Sequence, residues 1–196
     1  MKKFLAILIL ILTLQTQSQA DDIRDFEIEG ISIGDSLLDY FDLADMNNFY
    51  ISHYPSSDDY KGYEIPKFLS EIKFSTYDSI TVNWEKKDKK MKIAGISGIK
   101  LYPNNLKTCL KERDKTAEQI KKILNNEKEA HYEMTYGEGN DSIGYVIDLL
   151  IEGGSIRIWC TDWDEKTEKE KNWKDDFNVS IDTKEFIYWL DNIAFK

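Results

Sequence analysis

Cysteine, proline and histidine are scarce in this 196-residue chain, at two, three and two residues. With two thiols there is no Cys-x-x-Cys redox pair and no thiolate set for a structural zinc. The histidines, His53 and His131, stand in no metal-ligand spacing. Basic charge is also short, with 26 Lys and Arg against 36 Asp and Glu. So acidic a chain lacks the footprint that phosphate recognition needs, which argues against nucleic acid and anionic lipid as partners. The cluster Lys86-Lys87-Asp88-Lys89-Lys90 reads as a solvated turn. Long apolar runs are missing too: the one candidate, Phe4–Leu14, has about half the ~20 residues of a membrane-spanning helix.

That run fits an export signal instead. Met1-Lys2-Lys3 gives a positive start, Phe4–Leu14 the apolar core, and Ser18-Gln19-Ala20 the small-residue cleavage pattern. Residues 1–20 are expected to be removed. The short core behind a lysine pair is of bacterial type, so the mature chain 21–196 is expected in the periplasm or secreted, with no stable membrane anchor. Losing Lys2 and Lys3 leaves 24 basic against 36 acidic residues, a net charge of −12. In an oxidising compartment an isolated cysteine pair forms a disulfide. Cys109 and Cys160 would close a loop of roughly 50 residues, for which chain entropy gives about 4 kcal/mol.

Aromatic residues make up 13% of the chain, enough large apolar groups to build one folded domain over 21–196. A short strand is expected over Phe26–Glu29, then a helix over Asp35–Leu43 with Leu37, Leu38 and Phe41 on one face. Met46–Pro66 reads as a long irregular loop. Strands are expected at Phe68–Phe74 and at Tyr77–Glu85, where Ile80, Val82 and Trp84 alternate with Thr81 and Asn83. Another is expected at Met91–Leu101, where Gly95 and Gly98 suggest a bulge. Asn105 caps a helix whose apolar stripe carries Leu106, Cys109, Leu110, Ala117, Ile120, Ile123 and Leu124 and breaks at Asn125-Asn126.

The second half follows with a strand at His131–Tyr136 and a hairpin, Ile143–Ile151 and Ser155–Trp163, about Gly153-Gly154. A charged loop, Asp164–Lys174, leads to a strand at Phe177–Ile181. Asp182, with Glu185 three residues on, starts a last helix striped by Phe186, Trp189, Leu190 and Ile193. This order implies an α+β fold, a meandering antiparallel sheet with helices packed on one face. It is compatible with one unit or with two tandem helix-plus-strands units, 21–104 and 105–196.

Gly30-Ile31-Ser32-Ile33-Gly34-Asp35-Ser36-Leu37-Leu38, the strand–lysine turn–strand after it and the Cys109 helix resemble the tandem units of small envelope proteins. These are the proteins of the BamE and β-lactamase-inhibitor-protein-like group. The stretch from Asp22-Ile23-Arg24-Asp25-Phe26 through Phe41 also resembles the start of an uncharacterised exported family of marine bacteria. The first resemblance implies binding through an aromatic-rich sheet face; the second implies no activity.

Catalytic motifs match in form only. Gly30-Ile31-Ser32-Ile33-Gly34 has the pattern of a nucleophile elbow, but too little chain precedes Ser32 to supply the strands of an oxyanion hole. Ser70-Glu71-Ile72-Lys73 has the Ser-x-x-Lys spacing of penicillin-binding proteins without its companion motifs. Asp162, Asp164 and Glu165, or Glu138, Asn140 and Asp141, carry oxygens that calcium takes, but not the spacing of a calcium loop. No cofactor and no metal is therefore expected.

The hairpin is more informative. With Gly153-Gly154 at its tip, Ile151 faces Ile156, Leu149 faces Ile158, Ile147 faces Cys160 and Tyr145 faces Asp162. Alternation puts Tyr145, Ile147, Leu149, Ile151, Ile156, Ile158 and Cys160 on one side. If Cys160 bridges to Cys109, that side lies under the helix. The other side holds Val146, Asp148, Leu150, Arg157, Trp159, Thr161 and Trp163, with Asp148 and Arg157 as diagonal neighbours able to pair. Two tryptophans beside an arginine and a carboxylate have the composition of a binding hot spot, although large aromatics are also ordinary core. The expectation is a non-enzymatic protein that engages another envelope protein through Trp159, Trp163, Arg157 and Asp148. A small-molecule or glycan-binding module using the same tryptophans is the alternative, and a serine hydrolase the third. Mass spectrometry of protein drawn from the periplasm is expected to find no free thiol; two alkylatable cysteines would remove the crosslink and the face assignment together.

Overall fold

Segments in which apolar and polar residues alternate become strands. A small hairpin, β1 (Glu27–Ile28) with β2 (Ile31–Ser32), precedes β3 (Tyr50–Ser52), β4 (Tyr60–Pro66), β5 (Ser79–Glu85) and β6 (Ile93–Leu101). The second half contributes β7 (Lys128–Thr135), β8 (Ile143–Ile151), β9 (Gly154–Asp162) and β10 (Asp176–Thr183). The helices are α1 (Leu43–Met46), α2 (Leu106–Lys121), α3 (Glu165–Lys171) and α4 (Lys184–Trp189), the last running into a π turn over Leu190–Ala194. The computed structural model describes residues 22–69, 73–124, 128–136 and 140–196. The export signal read over residues 1–20 lies outside them, as do Ser70, Glu138 and the Asn125-Asn126 break. Among the described residues no helix is long and apolar enough to cross a membrane.

The protein is α+β, with strand order β3-β4-β5-β6-β10-β9-β8-β7 in one large antiparallel sheet. Each half of the chain supplies a four-stranded meander. The meanders meet through their last strands, β6 against β10, paired from Asp176↔Leu101 to Asp182↔Gly95. One face of the sheet is the core. Ile147, Leu149, Ile156, Ile158, Phe177, Val179 and Ile181 share it with Ile80, Val82, Trp84 and Ile96 of the first meander. Over it lies α2, N-capped by Asn105, packed on β8, β9 and β10. Cys109 and Cys160 are both fully buried and joined by a disulfide with Cα atoms 6.0 Å apart. The N-terminal hairpin adds Ile28 and Ile31 to this core. Glu29 latches the hairpin to the turn before β5, its carboxylate accepting the N–H groups of Ser75, Thr76 and Tyr77 at 2.8, 2.7 and 3.0 Å.

Several local expectations shift. Met46–Pro66 is not an irregular loop, since it holds β3 and β4. Gly62 hid the latter: a side chain there would collide with Asn83 and Ser52, so the alternation is interrupted for packing reasons. Of the strand expected at Phe68–Phe74, residues 67–69 form a single 3-10 turn, Lys73 and Phe74 lie in no strand, and 70–72 fall outside the described residues. The helix expected at Asp35–Leu43 is a 3-10 turn, Leu37–Asp39, followed by α1, and Leu38 is exposed while Leu37 and Phe41 are buried. The bulge or bend expected at Gly95 and Gly98 is present beside Gly95 alone: Asn83 pairs with Gly95 and Trp84 with Ile93, which leaves Ala94 of β6 as the extra residue, while Gly98 is regularly paired. Both glycines clear space for aromatic rings, Phe186 over Gly95 and Tyr77 over Gly98. The charged loop Asp164–Lys174 contains α3, capped by the Asp164 carboxylate.

The closing helix differs most. Its cap is Thr183, whose hydroxyl accepts from the Phe186 N–H at 3.3 Å, and Asp182 stays in the sheet. The ring of Phe186 sits against Gly95 and beside Asp182, on the face opposite α2. The helices are therefore not all on one side. Replacing both cysteines, Cys109→Ala with Cys160→Ala, is expected to cost about 4 kcal/mol in denaturant unfolding. A loss below about 1 kcal/mol would mean that packing alone seats α2.

Candidate functional site

Between the core positions, every second side chain points to the other face. There β5 presents Ser79, Thr81 and Asn83, β6 presents Ser97, Ile99 and Leu101, and β10 presents Asp176, Asn178, Ser180 and Asp182. Across β10 the face continues with Arg157, Trp159 and Thr161 of β9, then Val146 and Asp148 of β8. One end is covered. Trp189 of α4 packs against Tyr54 and Tyr60, ring centres 4.8 and 4.9 Å apart, and its indole N–H donates to Ser57. The rest is an open trough of two adjoining concavities that share Ile99. The smaller, about 370 Å³, lies beside the C-terminal segment and is lined by Arg157, Trp159, Asn178, Ser180, Asp182 and Leu190 among others. The larger, about 820 Å³, is bounded by Tyr50, Pro66, Phe68, Leu101, Trp163 and Trp173 over a floor including Ser79 and Asp176.

Trp159 and Trp163 thus open onto the same face but onto different concavities. Arg157 lines the smaller one; Asp148 lies behind it and lines neither. The hairpin turns at Glu152-Gly153, one step earlier than Gly153-Gly154, with Gly153 at φ +86°. Every pairing therefore slips by two residues: Ile151 meets Gly154, Leu149 meets Ile156, Ile147 meets Ile158 and Tyr145 meets Cys160. A slip of two preserves the faces. It also makes Asp148 and Arg157 direct partners, with Arg157 Nη2 donating to Asp148 Oδ2 at 3.4 Å. The pair is mostly buried, and neither Asp148 Oδ1 nor Arg157 Nε has a hydrogen-bond partner among the described residues.

Trp163 is held firmly. Its indole N–H donates to Asp176 Oδ2 at 3.1 Å, its backbone N–H to Asp175 Oδ1 at 3.0 Å, and its ring packs between Tyr136 and Trp173 at 4.6 Å from each. Sequence reasoning missed the outer wall of this site. Trp173, Phe68, Tyr50 and Leu101 are 47%, 78%, 54% and 48% exposed, and all four rim the larger concavity. Trp173 fell in the charged loop and Tyr50 in the supposed irregular one, so no period pointed to them.

The formal motifs dissolve into structure. Ser32 sits in the two-residue hairpin, its N–H donating to Asp35, and every named strand pairing is antiparallel, so no elbow at the centre of a parallel sheet exists. Asp164 accepts from the hydroxyl and N–H of Thr167, then from Ser142 and Lys166, and these bonds lower its carboxyl to about 2. Asn140 accepts from the Ser142 N–H. Among the described residues no group of three or more His, Cys, Asp or Glu side chains is placed to hold a metal. Comparison with protein-family models, curated proteins and solved structures finds no match for this chain.

Two floor carboxylates are unusual. Burial pushes Asp176 up to about 6 against the pull of Trp163, Thr161 and Asn178. Burial also pushes Asp182 up to about 6, opposed by Ser180 and Arg157 and reinforced by Asp148 and Asp191. Asp182 is 5% exposed. A carboxyl raised on folding contributes stability that is full below its unfolded value of 3.8 and lost as pH rises through about 6. Asp182→Asn should therefore stabilise the protein at pH 7.5, by on the order of 2 kcal/mol. It should also flatten the fall in stability between pH 4 and 7 relative to the wild type. A variant less stable than wild type at pH 7.5 would show instead that Arg157 needs an ionised Asp182.

Proposed function

We propose that this is a non-enzymatic protein of the bacterial cell envelope that captures another envelope protein on the trough face of its sheet. The observation carrying this reading is the rim of the larger concavity, where four large apolar side chains stand together in solvent. Apolar groups clustered in this way mark interaction sites, whereas single exposed ones need no explanation. Periplasmic residence follows from the export signal read in residues 1–20 and agrees with the buried disulfide.

The rival is a glycan or small-molecule module. The hydroxyl and amide groups of Thr81, Ser97, Asn178 and Ser180 beside Trp159 favour it. Both concavities are only partly enclosed, and small ligands are usually held in sites that bury most of their surface. That openness favours a protein partner.

The test is capture from periplasmic extract by the mature protein. Trp163 is too deeply tied into the fold to be the first residue changed; Phe68 and Trp173 are not. Phe68→Ser with Trp173→Ser is expected to weaken capture by roughly 30-fold or more, the loss of about 2 kcal/mol that a hot-spot residue carries. Unfolding should shift by less than about 1 kcal/mol, as for other surface changes. Undiminished capture would place the partner elsewhere.

A further inference from the structure

The trough has a charge pattern as well as an apolar rim. Five carboxylates line its two concavities: Glu64, Asp78 and Asp176 in the larger, Asp182 and Asp191 in the smaller. Three cations line them too, but two face acids of their own. Arg157 faces Asp148 at 3.4 Å and Lys174 faces Glu168 at 3.7 Å. Among the described residues that leaves Lys67, with the partial pull of Arg157 on Asp182, to oppose five acids. Asp176 and Asp182 sit on the floor, where burial disfavours their ionised form. A positive group arriving from outside would relieve that cost, because an opposite charge nearby favours the ionised carboxylate.

The geometry limits the shape of what arrives. Asp176 and Asp182 are six residues apart on one strand, so these two floor carboxylates are spaced about 20 Å along β10, at roughly 3.3 Å per residue, with the adjoining concavities running between them. An extended peptide covers that distance with six or seven residues. A compact monovalent ligand would occupy only one end.

We infer that the trough takes an extended, basic segment of the partner protein, with a large apolar or aromatic side chain seated among Phe68, Tyr50 and Trp173 and a lysine or arginine about six residues away beside Asp182 and Asp191. This rests on the proposed function and specifies its partner. Apolar anchoring supplies affinity through the rim, and the acidic floor selects sign and register.

The experiment pans a library of random 12-residue displayed peptides on the immobilised mature protein with its disulfide intact. The enriched sequences are expected to carry net positive charge, with an aromatic or large aliphatic residue about six positions from a Lys or Arg. They are expected to be lost on the Phe68→Ser, Trp173→Ser surface. A synthetic peptide of the enriched sequence should bind at least tenfold more weakly to Glu64→Gln with Asp191→Asn, which removes one exposed or half-exposed charge at each end. It should also weaken as salt rises. Enrichment of neutral or acidic peptides would overturn the inference, as would no enrichment over a blank surface, or an oligosaccharide that binds and is lost with Phe68 and Trp173. Rim-dependent capture from periplasmic extract would survive any of these peptide failures, so the two readings fail separately.

Discussion

Antiparallel pairing of β6 with β10 joins two four-stranded meanders into one sheet, and the register of that pairing decides what each face becomes. Val179 lies opposite Gly98 and Ile181 opposite Ile96, so the apolar sides of both halves fall on the same face. The side of β10 carrying Asp176, Asn178, Ser180 and Asp182 then continues the side of β6 carrying Ser97, Ile99 and Leu101. A slip of one residue would put the acidic side of β10 against the core and its apolar side in the trough. The seam is also where the chain tolerates least bulk. Gly98 admits the Tyr77 ring on the core face and Gly95 admits Phe186 on the other, so both coverings of the sheet are seated at its centre.

The second constraint is the crosslink. It ties α2 to the neighbour of the seam strand, since Cys160 lies opposite Phe177 of β10. With the core face committed to α2 and the N-terminal hairpin, α4 and its π turn are the helical covering of the other face among the described residues, apart from the residues after α3 that wall the larger concavity. The helix and its turn are short, and they cover one end. The trough is what an eight-stranded sheet leaves open when its second covering is a six-residue helix.

Much of this was legible because alternation survives local error. The hairpin register was misplaced by two residues, yet the faces of Cys160 and Trp159 were read correctly, since two is the period of a strand. The stripe on α2 was legible for a similar reason: Cys109 and Ala117 repeat at helical spacing. What alternation does not encode is which side of a sheet a helix crosses. Phe186 and Trp189 form the same apolar stripe for either face, and only the glycine at position 95, opposite Asp182, distinguishes them. Gly62 and Pro66 made β4 read as loop, and with β4 and its neighbour β3 went Pro66 and Tyr50, which help wall the larger concavity. Trp173 was hidden differently. It follows α3 in a run of charged residues, and its place beside Trp163 arises from a left-handed Asn172 that turns the chain back.

A floor of Asp, Asn, Ser and Thr across the middle of a sheet is a poor design for stability alone. Valine or isoleucine at Asn178, Ser180 and Asp182 would bury better, and replacing buried ionic groups by apolar ones is often neutral or stabilising. Here the Asp148–Arg157 pair leaves polar atoms unmatched, and two carboxyls are held well above their usual range. Such costs persist where the same groups are needed for something other than folding. The trough concentrates them on the open face, next to a rim where four large apolar side chains stand together in water. Asp176 and Trp173 also help to hold Trp163 in place, but that role does not extend to Asp182 or to Phe68, whereas a single binding surface would give polar floor and aromatic rim a common explanation.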